Sequence, residues 1–172
     1  NKSLSMIKKI KIVLISILIL ALVATAIVYG TLSLSLPSLS GAATSQHIQA
    51  SVTLSRDILG TAVIKAKNRA DATYALGYAH GQDRFFQMDL FRRTAAGELA
   101  ELFGKGAIEY DKQNRFHQFR QRAHHIFNNL PEYDRQLLNV YTSGVNQAIQ
   151  DIAYPSFEYL LTGTSIKPWQ PE

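Results

Sequence analysis

The chain has 172 residues and a net charge of +5, a size that allows one domain with a core of its own. Four of the 18 Lys and Arg residues lie in the first eleven positions, and the remaining 14 nearly balance the 13 acidic residues. This near-neutral body argues against nucleic acid as a partner, because nucleic-acid-binding proteins concentrate basic residues on a folded face. The absence of cysteine excludes a disulfide framework and a thiolate metal site.

The first element in the chain is an uncharged apolar run from Ile12 to Tyr29. A helix of these 18 residues would be about 27 Å long, close to the hydrocarbon thickness of a bilayer. Lysines precede the run, and no charged residue follows it before Arg56, so the positive-inside rule places the basic end in the cytoplasm. The sequence therefore predicts a cytoplasmic basic segment at 1–11, a transmembrane signal-anchor at 12–29 and a body on the periplasmic, extracytoplasmic side.

The same run leaves a cleaved signal peptide open as a second interpretation. Ala24-Thr25-Ala26 has the small-residue form of a cleavage site, but the apolar residues continue to Tyr29 and favour the uncleaved anchor. With an anchor, the lipid bilayer is a partner of the chain. Residues 30–50 are rich in Ser and interrupted by Pro37 and Gly41, and we interpret them as a stalk or linker.

The body, residues 51–172, begins with the signal of a β-hairpin. Two β-rich segments, Ala50 to Leu54 and Ala62 to Ala66, are separated by turn-forming residues. Asn68 is a suitable N-cap for a helix from Arg69 to Ala79. We therefore expect a short sheet followed by helices.

A second, long helix is predicted after His80-Gly81, with Gly104 as its C-terminal stop. Apolar residues recur along it at steps of three or four, as on one buried stripe. The stripe consists of Phe85, Met88, Phe91, Ala95, Leu99 and Leu102. Further helices are predicted from Tyr110 to Asn129 and after Pro131, followed by an extended, proline-bearing tail. The predicted fold class is α+β and mostly helical.

Several short motifs follow one another through the body. They are Arg56-Asp57 with Gly60, QDR at 82–84, FFQMDLFRR at 85–93, GELAELFG at 97–104, GVN at 144–146 and PWQPE at 168–172. Their order resembles the penicillin acylase (penicillin amidase) family of N-terminal-nucleophile hydrolases. Agreement of many motifs in sequence is far more specific than any one of them alone. The chain departs from the family at Thr61-Ala62-Val63, where members usually carry Val-Pro-His.

The resemblance implies the N-terminal, α-chain portion of a layered αββα hydrolase that cuts a linear amide bond. Penicillins, cephalosporins and N-acyl-homoserine lactones are the substrate classes that the family suggests, and an acyltransferase with the same chemistry is an open alternative. The family's nucleophile is a serine exposed by autoproteolytic cleavage of a precursor, and it begins a second chain after the PWQPE motif. The resemblance therefore assigns no catalytic residue to this chain and makes the missing β-chain its partner. Calcium is possible in the full enzyme, but the resemblance carries no metal ligand or cofactor over to these residues.

Five polar residues are predicted to form a structural polar network under the active-site domain. They are Gln82, Asp83, Arg84, Arg92 and Arg93. Buried ion pairing is expected for Asp83 and Arg84, which precede two bulky phenylalanines. For Arg92 and Arg93, a surface of i, i+3 and i, i+4 pairs with Asp89 is an equal alternative. The sequence assigns no substrate-binding residue.

A rival interpretation is a membrane-tethered helical interaction module without catalytic activity. It accounts for the amphipathic helices and for a chain without a nucleophile. It does not account for the order of the motifs. A reading frame that continues past Glu172 would favour the amidase precursor over this module.

Overall fold

The computed structural model of the chain describes residues 2–152 and 154–172. Within them, helices dominate and one antiparallel pair of strands forms the sheet. The elements in chain order are α1 (Lys2–Leu34), β1 (Thr53–Arg56), β2 (Ala62–Lys65), α2 (Arg69–Ala96), α3 (Ala100–Phe103), a 3-10 turn (Gly104–Ala107), α4 (Ile108–Phe116), α5 (Phe119–Asn129), α6 (Glu132–Asp151) and α7 (Phe157–Thr162). The mostly helical fold with a small sheet is confirmed, and the complete αββα arrangement stays a prediction.

Helix α1 is longer than the apolar run that predicted it. It continues to Leu34, so residues 30–34, which belong to the predicted stalk, are helical. Met6–Leu34 is long and apolar enough to cross a membrane, and its most apolar window is not buried against the rest of the described chain. A helix that is apolar on all sides and unburied fits a signal or membrane-spanning segment better than a core helix.

Strands β1 and β2 form the predicted hairpin. Four residue pairs join them in antiparallel register. The turn between them is fixed by Asp57, whose carboxylate accepts hydrogen bonds from the amides of Leu59 and Thr61 at 2.9 and 2.8 Å. The Asp57 amide also donates to the Thr61 carbonyl, and Gly60 takes the left-handed conformation with φ +80°. The tip of the hairpin is therefore well defined by hydrogen bonds.

Helix α2 runs through His80-Gly81, where two separate helices were predicted to meet, and kinks shortly afterwards at Arg84. Asn68 caps its start as predicted, accepting a hydrogen bond from the Asp71 amide at 2.8 Å. The backbone leaves helical geometry once, at Arg84 (φ −154°, ψ 32°). The structure thus interrupts the helix at Arg84 and not at Gly81, which packs directly against α6.

The C-terminal end of α2 also differs from the prediction. The helix ends at Gly97 and not at Gly104, because Gly97 adopts φ +69° and its amide bonds back to the last carbonyls of the helix. The predicted apolar stripe is wrong in part: Phe85 is buried, but Phe91 is 74% exposed and Leu99 lies beyond the helix end. The residues buried on this half of the helix are Phe85, Asp89 and Arg93.

Helices α2 and α6 pack so closely that their backbones are in contact. Gly77 of α2 faces the carbonyl of Tyr141, and Gly144 of α6 faces the carbonyl of Tyr74. A methyl group on either glycine would overlap the facing carbonyl oxygen. Gly81 extends this contact, because a methyl group there would lie 2.9 Å from a backbone oxygen of α6. The glycines therefore set the distance between the two main helices.

The hydrophobic core lies where α2, α6 and α7 meet. Phe85, Val145 and Tyr159 form its buried cluster. Partly buried apolar residues surround this cluster, namely Phe86, Met88, Tyr141, Ile149, Ile166 and Trp169. Helix α7 supplies Tyr159 to the core, although the sequence analysis predicted no helix in that region.

The helix predicted from Tyr110 to Asn129 is divided into α4 and α5. Gln118 has a left-handed conformation with φ +53°, which a continuous right-handed helix does not allow. Helix α6 begins at Glu132, directly after Pro131, as predicted. The chain after α7 is extended up to Glu172.

Candidate functional site

A buried cluster of charged residues lies in the C-terminal half of α2. Asp89 is fully buried, and both of its carboxylate oxygens accept hydrogen bonds. Arg92 Nε donates to Oδ1 at 2.7 Å, while Arg93 Nε and the Tyr159 hydroxyl donate to Oδ2 at 3.0 and 2.7 Å. Helical spacing brings the two arginines beside the aspartate, and α7 brings the tyrosine. We call these four residues the ion cluster.

The ion cluster is arranged to hold a charge rather than to transfer a proton. Burial alone would raise the pKa of Asp89, but the hydrogen bonds from Tyr159, Arg92 and Arg93 outweigh burial and keep that pKa below its usual value. Burial and the neighbouring carboxylate raise the pKa of Tyr159, so its hydroxyl stays protonated and donates. Since both oxygens of Asp89 already have donors, the carboxylate is a structural anion and not a general base.

Arg93 extends the ion cluster towards the surface. Its Nη1 atom donates to Glu101 Oε2 at 2.6 Å, and Lys167 Nζ reaches the same oxygen at 2.7 Å. The hydrogen bonds from Lys167 and Arg93 lower the pKa of Glu101. These contacts connect α2 with α3 and with the C-terminal tail.

Arg92 fastens the tail, residues 163–172, to α2. Its two terminal nitrogens donate to the carbonyls of Pro168 and Lys167, each at 2.6 Å. Its guanidinium carbon lies 5.2 Å from the ring centroid of Trp169, within the range of a cation–π contact. From the other side, Asn146 of α6 exchanges two hydrogen bonds with the Trp169 backbone, at 2.7 and 3.0 Å. Side chains of two helices thus hold the extended tail in one path.

An open groove of about 650 Å³ runs beside the ion cluster, between α2, α5 and the tail. Two polar pairs lie beside the groove, since Arg120 binds Glu98 and His124 Nε2 lies 3.1 Å from Glu172 Oε1. No serine, threonine or cysteine is among the described residues that line the groove. The described lining therefore supplies no hydroxyl or thiol nucleophile for acyl transfer.

A comparison with known families explains the order of motifs through the body. The family model described as penicillin amidase matches residues 51–172, from the hairpin to the end of the tail. The chain belongs to the penicillin amidase family. The matched range contains the whole ion cluster and both helices that hold the tail.

Curated relatives within this family carry two kinds of name. The chain is 39% identical over 140 residues to "Penicillin acylase 2 proenzyme" of a Pseudomonas species, covering 81% of this chain and 18% of that protein. It is 38% identical over 112 residues to "Acyl-homoserine lactone acylase QuiP" of Pseudomonas aeruginosa, covering 65% of this chain and 13% of that protein. It is 31% identical over 143 residues to "Penicillin G acylase" of Escherichia coli, covering 80% and 16%. The chain thus spans less than a fifth of the length of these relatives.

A solved structure of the family supports the fold. Thermostable penicillin G acylase from Alcaligenes faecalis matches the chain with a TM-score of 0.63 and 28% sequence identity. The match covers 70% of this chain and 66% of the solved chain. The matched part of this chain therefore shares its fold with a penicillin G acylase chain.

The QDR motif lies apart from the ion cluster. Gln82 Nε2 donates to the Ser38 carbonyl at 3.0 Å. Asp83 pairs with Arg56 of β1 at 2.5 Å with its side chain 38% exposed, and Arg84 is exposed as well. The prediction of buried ion pairing for Asp83 and Arg84 is wrong, because the partner of Asp83 is on the hairpin and not in the core.

The five residues predicted as one polar network therefore fall into two groups. Arg92 and Arg93 pair with Asp89 at the predicted helical spacing, but these pairs are buried and do not form a surface. Gln82 and Asp83 connect α2 to the segment after α1 and to the hairpin. The two groups lie on different parts of the same helix.

Two buried carboxylates were not assigned to a site from the sequence. Asp71 accepts hydrogen bonds from the amides of residues 49–50 at 2.9 and 3.0 Å, and the Gln49 amide is the main cause of its lowered pKa. Asp111 accepts from the amides of residues 99–100 at 2.8 and 2.7 Å, which caps the start of α3. A carboxylate that binds distant backbone amides leaves no side-chain pattern in the sequence, so spacing rules do not find it.

Proposed function

We propose that the chain is the N-terminal part of an exported amidase that hydrolyses a linear carbon–nitrogen amide bond. The observation that carries this proposal is the penicillin amidase match, which spans the described body from residue 51 to 172. The relatives are named penicillin acylase and acyl-homoserine lactone acylase. Penicillin-type amides and N-acyl-homoserine lactones are accordingly the substrates to test for the whole protein.

In this proposal the nucleophile is an N-terminal serine supplied by chain beyond residue 172 and freed when the precursor cleaves itself. Its α-amino group, with an ordinary pKa of about 8, accepts the hydroxyl proton while the oxygen attacks the amide carbonyl. Hydrogen-bond donors stabilise the oxyanion of the tetrahedral intermediate. The C–N bond then breaks, the amine leaves with the proton, and water hydrolyses the acyl–serine ester.

The described residues contribute a scaffold to that site. Arg92 and Asn146 hold the tail between two helices, so the chain that follows residue 172 starts from a fixed position. Asp89 holds Arg92 in place through a hydrogen bond of 2.7 Å. We expect this chain alone to be inactive and its β-chain to be the partner that completes the enzyme.

Calcium does not fit the buried carboxylates described for this chain. Asp71, Asp89 and Asp111 each accept hydrogen bonds from N–H donors, which occupy the oxygens that a calcium ion would need. A calcium ion in the full enzyme would accordingly be held by other residues. No step of the proposed reaction depends on such an ion.

We further propose that α1 is an uncleaved signal-anchor with the body on the periplasmic side. Lysines precede the apolar run, and its most apolar window is unburied. A cleaved signal peptide is the alternative, and the two differ in the mass of the mature N-terminal chain.

Intact mass spectrometry tests the proposal on the product of the complete reading frame, expressed with its export signal. We expect two chains, of which the second begins with serine, and an N-terminal chain that retains α1. The product is then incubated with penicillin G and with an N-acyl-homoserine lactone, and release of the free amine is followed.

A single uncleaved product that releases no amine from either substrate would overturn the amidase proposal. It would favour the membrane-tethered interaction module. Two chains with transfer of the acyl group to an added amine, without hydrolysis, would identify an acyltransferase.

A further inference from the structure

The tip of the β1–β2 hairpin presents two large aliphatic side chains to solvent. Ile58 is fully exposed and Leu59 is 85% exposed. Turn positions of this kind usually carry Gly, Pro, Asn, Asp or Ser. Since the hydrogen bonds that the Asp57 carboxylate accepts from the amides of Leu59 and Thr61 define the turn, the two side chains project from a fixed loop.

The hairpin is attached to α2 beside the place where the end of α1 reaches the body. Arg56, next to the tip, donates to both carboxylate oxygens of Asp83 at 3.0 and 2.5 Å and to the Gly60 carbonyl at 3.2 Å. The preceding residue of α2, Gln82, donates to the carbonyl of Ser38, shortly after the end of α1. Consecutive residues of α2 therefore bind the hairpin and the segment that leaves α1, which places both at the same end of the body.

The segment after α1 adds further apolar surface at this end. Leu36 and Leu39 are exposed on either side of Ser38. Ser35 and Pro37 line a small cavity together with residues 81–87 of α2, so the segment is seated on the body. A helix with the composition of a membrane span leads directly into this exposed aliphatic surface.

We infer that Ile58 and Leu59 insert into the membrane interface beside α1 and give the body a second contact with the bilayer. The occupant is lipid, because the tip lies at the end of the body from which α1 emerges. The charged residues beside the tip are bonded already, Arg56 to Asp83 and Asp57 to backbone amides, so insertion of the tip separates no charge from its partner. The inference rests on the anchor role proposed above for α1.

The test places a fluorophore on the tip of the complete reading frame product. Ile58→Cys and Leu59→Cys carry an environment-sensitive probe, which is selective because residues 1–172 contain no cysteine and any cysteine elsewhere is replaced. The protein is reconstituted in phosphatidylcholine–phosphatidylglycerol vesicles with and without nitroxide-labelled lipid. We expect blue-shifted emission and lipid quenching about twofold or more above a surface control, since interfacial groups lie at the headgroup–acyl boundary.

Phe116→Cys provides the matched control, because Phe116 is an exposed apolar residue at the opposite end of α2. Its neighbour Arg115 donates to the Gly97 carbonyl at 2.8 Å, at the C-terminal end of that helix. From Gln82 to Gly97 the helix rises by roughly 20 Å. The control probe is expected to remain in water.

Three outcomes would overturn the inference. Equal lipid quenching at the tip and at the control, with the protein retained by vesicles after alkaline carbonate washing, would leave the anchor intact and remove the tip contact. A blue shift without lipid quenching would mean that protein, not lipid, covers the tip. Release of the protein from vesicles would overturn both the anchor and the tip contact. Amide hydrolysis is measured in a separate assay, so failure of the membrane contact can be distinguished from failure of the amidase proposal.

Discussion

Asp89 is the residue on which the ion cluster depends, because it receives three donors in a fully buried position. Asp89→Asn removes the negative charge and points an amide group at donors that need an acceptor. Breaking a buried ion pair in this way destabilises by about 3–5 kcal/mol. Urea unfolding of the detergent-purified protein, followed by circular dichroism, measures the loss.

Glu109→Gln is the control for that substitution. Glu109 pairs with Lys112 at 2.7 Å, but both side chains are exposed, so the change is expected to remain within about 0.5 kcal/mol. Equal destabilisation by the two substitutions would mean that burial of Asp89 does not increase the free energy lost when its charge is removed.

The carboxylate of Asp71 is expected to make the free energy of unfolding depend on pH in the acid range. Its pKa in the folded chain is lowered, chiefly by the Gln49 amide, below the unfolded value of about 3.9. A carboxylate with a lowered folded pKa stabilises the fold above the unfolded value, and this contribution is lost as the pH falls through the folded value. We expect the urea midpoint to decrease more steeply below about pH 4 in the parent than in Asp71→Asn. Parallel pH profiles of the two proteins would contradict this assignment.

The pairs within the ion cluster can be predicted from the sequence, but their burial cannot. The spacing of Asp89 to Arg92 and Arg93 predicts the pairs, because it places the three side chains on one side of a helix. It does not predict their burial, which depends on Tyr159, 70 residues away, bringing its hydroxyl to the carboxylate. A long-range contact of this kind is decided by packing and not by local pattern.

Among the elements, α2 and α6 are the pair whose contact is most sensitive to an added atom. Gly144→Ala would place a methyl group into the Tyr74 carbonyl, so the helices must separate or the backbone must shift. We expect a loss of about 1–3 kcal/mol in the free energy of unfolding. Gly106→Ala is the control, since no atom lies within 4 Å of the added methyl group. Thermal unfolding of the two variants compares them, and equal melting temperatures would argue against the close contact.

The hairpin and the start of α2 were predicted more accurately than the length of α2. Asn68 and the turn residues act locally, so their effect is readable from neighbouring letters. Gly81 by itself predicts a helix break, but it is helical and packs against α6, and the kink comes at Arg84. The helix stop was predicted at Gly104, whereas Gly97 ends the helix earlier by its own left-handed conformation.

At the scale of the whole molecule, the described body leaves several large apolar side chains exposed to solvent. Phe91 is 74% exposed on α2, next to the buried ion cluster, while the relatives are more than five times longer than the matched segments. Exposed apolar side chains that gather into one patch mark interfaces, and we propose that Phe91 belongs to such a patch. The proposed β-chain is the partner that would cover it.

The substitution Phe91→Cys tests directly whether another chain covers position 91. A maleimide reagent should label position 91 rapidly in the isolated 172-residue chain, because the side chain is open to solvent. In the product of the complete reading frame, labelling should slow by roughly tenfold or more, since a covered thiol reacts only after local opening. Glu109→Cys, at a side chain that is 81% exposed and already paired with lysine, should be labelled at similar rates in both proteins. If position 91 is labelled equally fast in both, no further chain covers this face, and the exposed Phe91 is surface that the mature protein keeps.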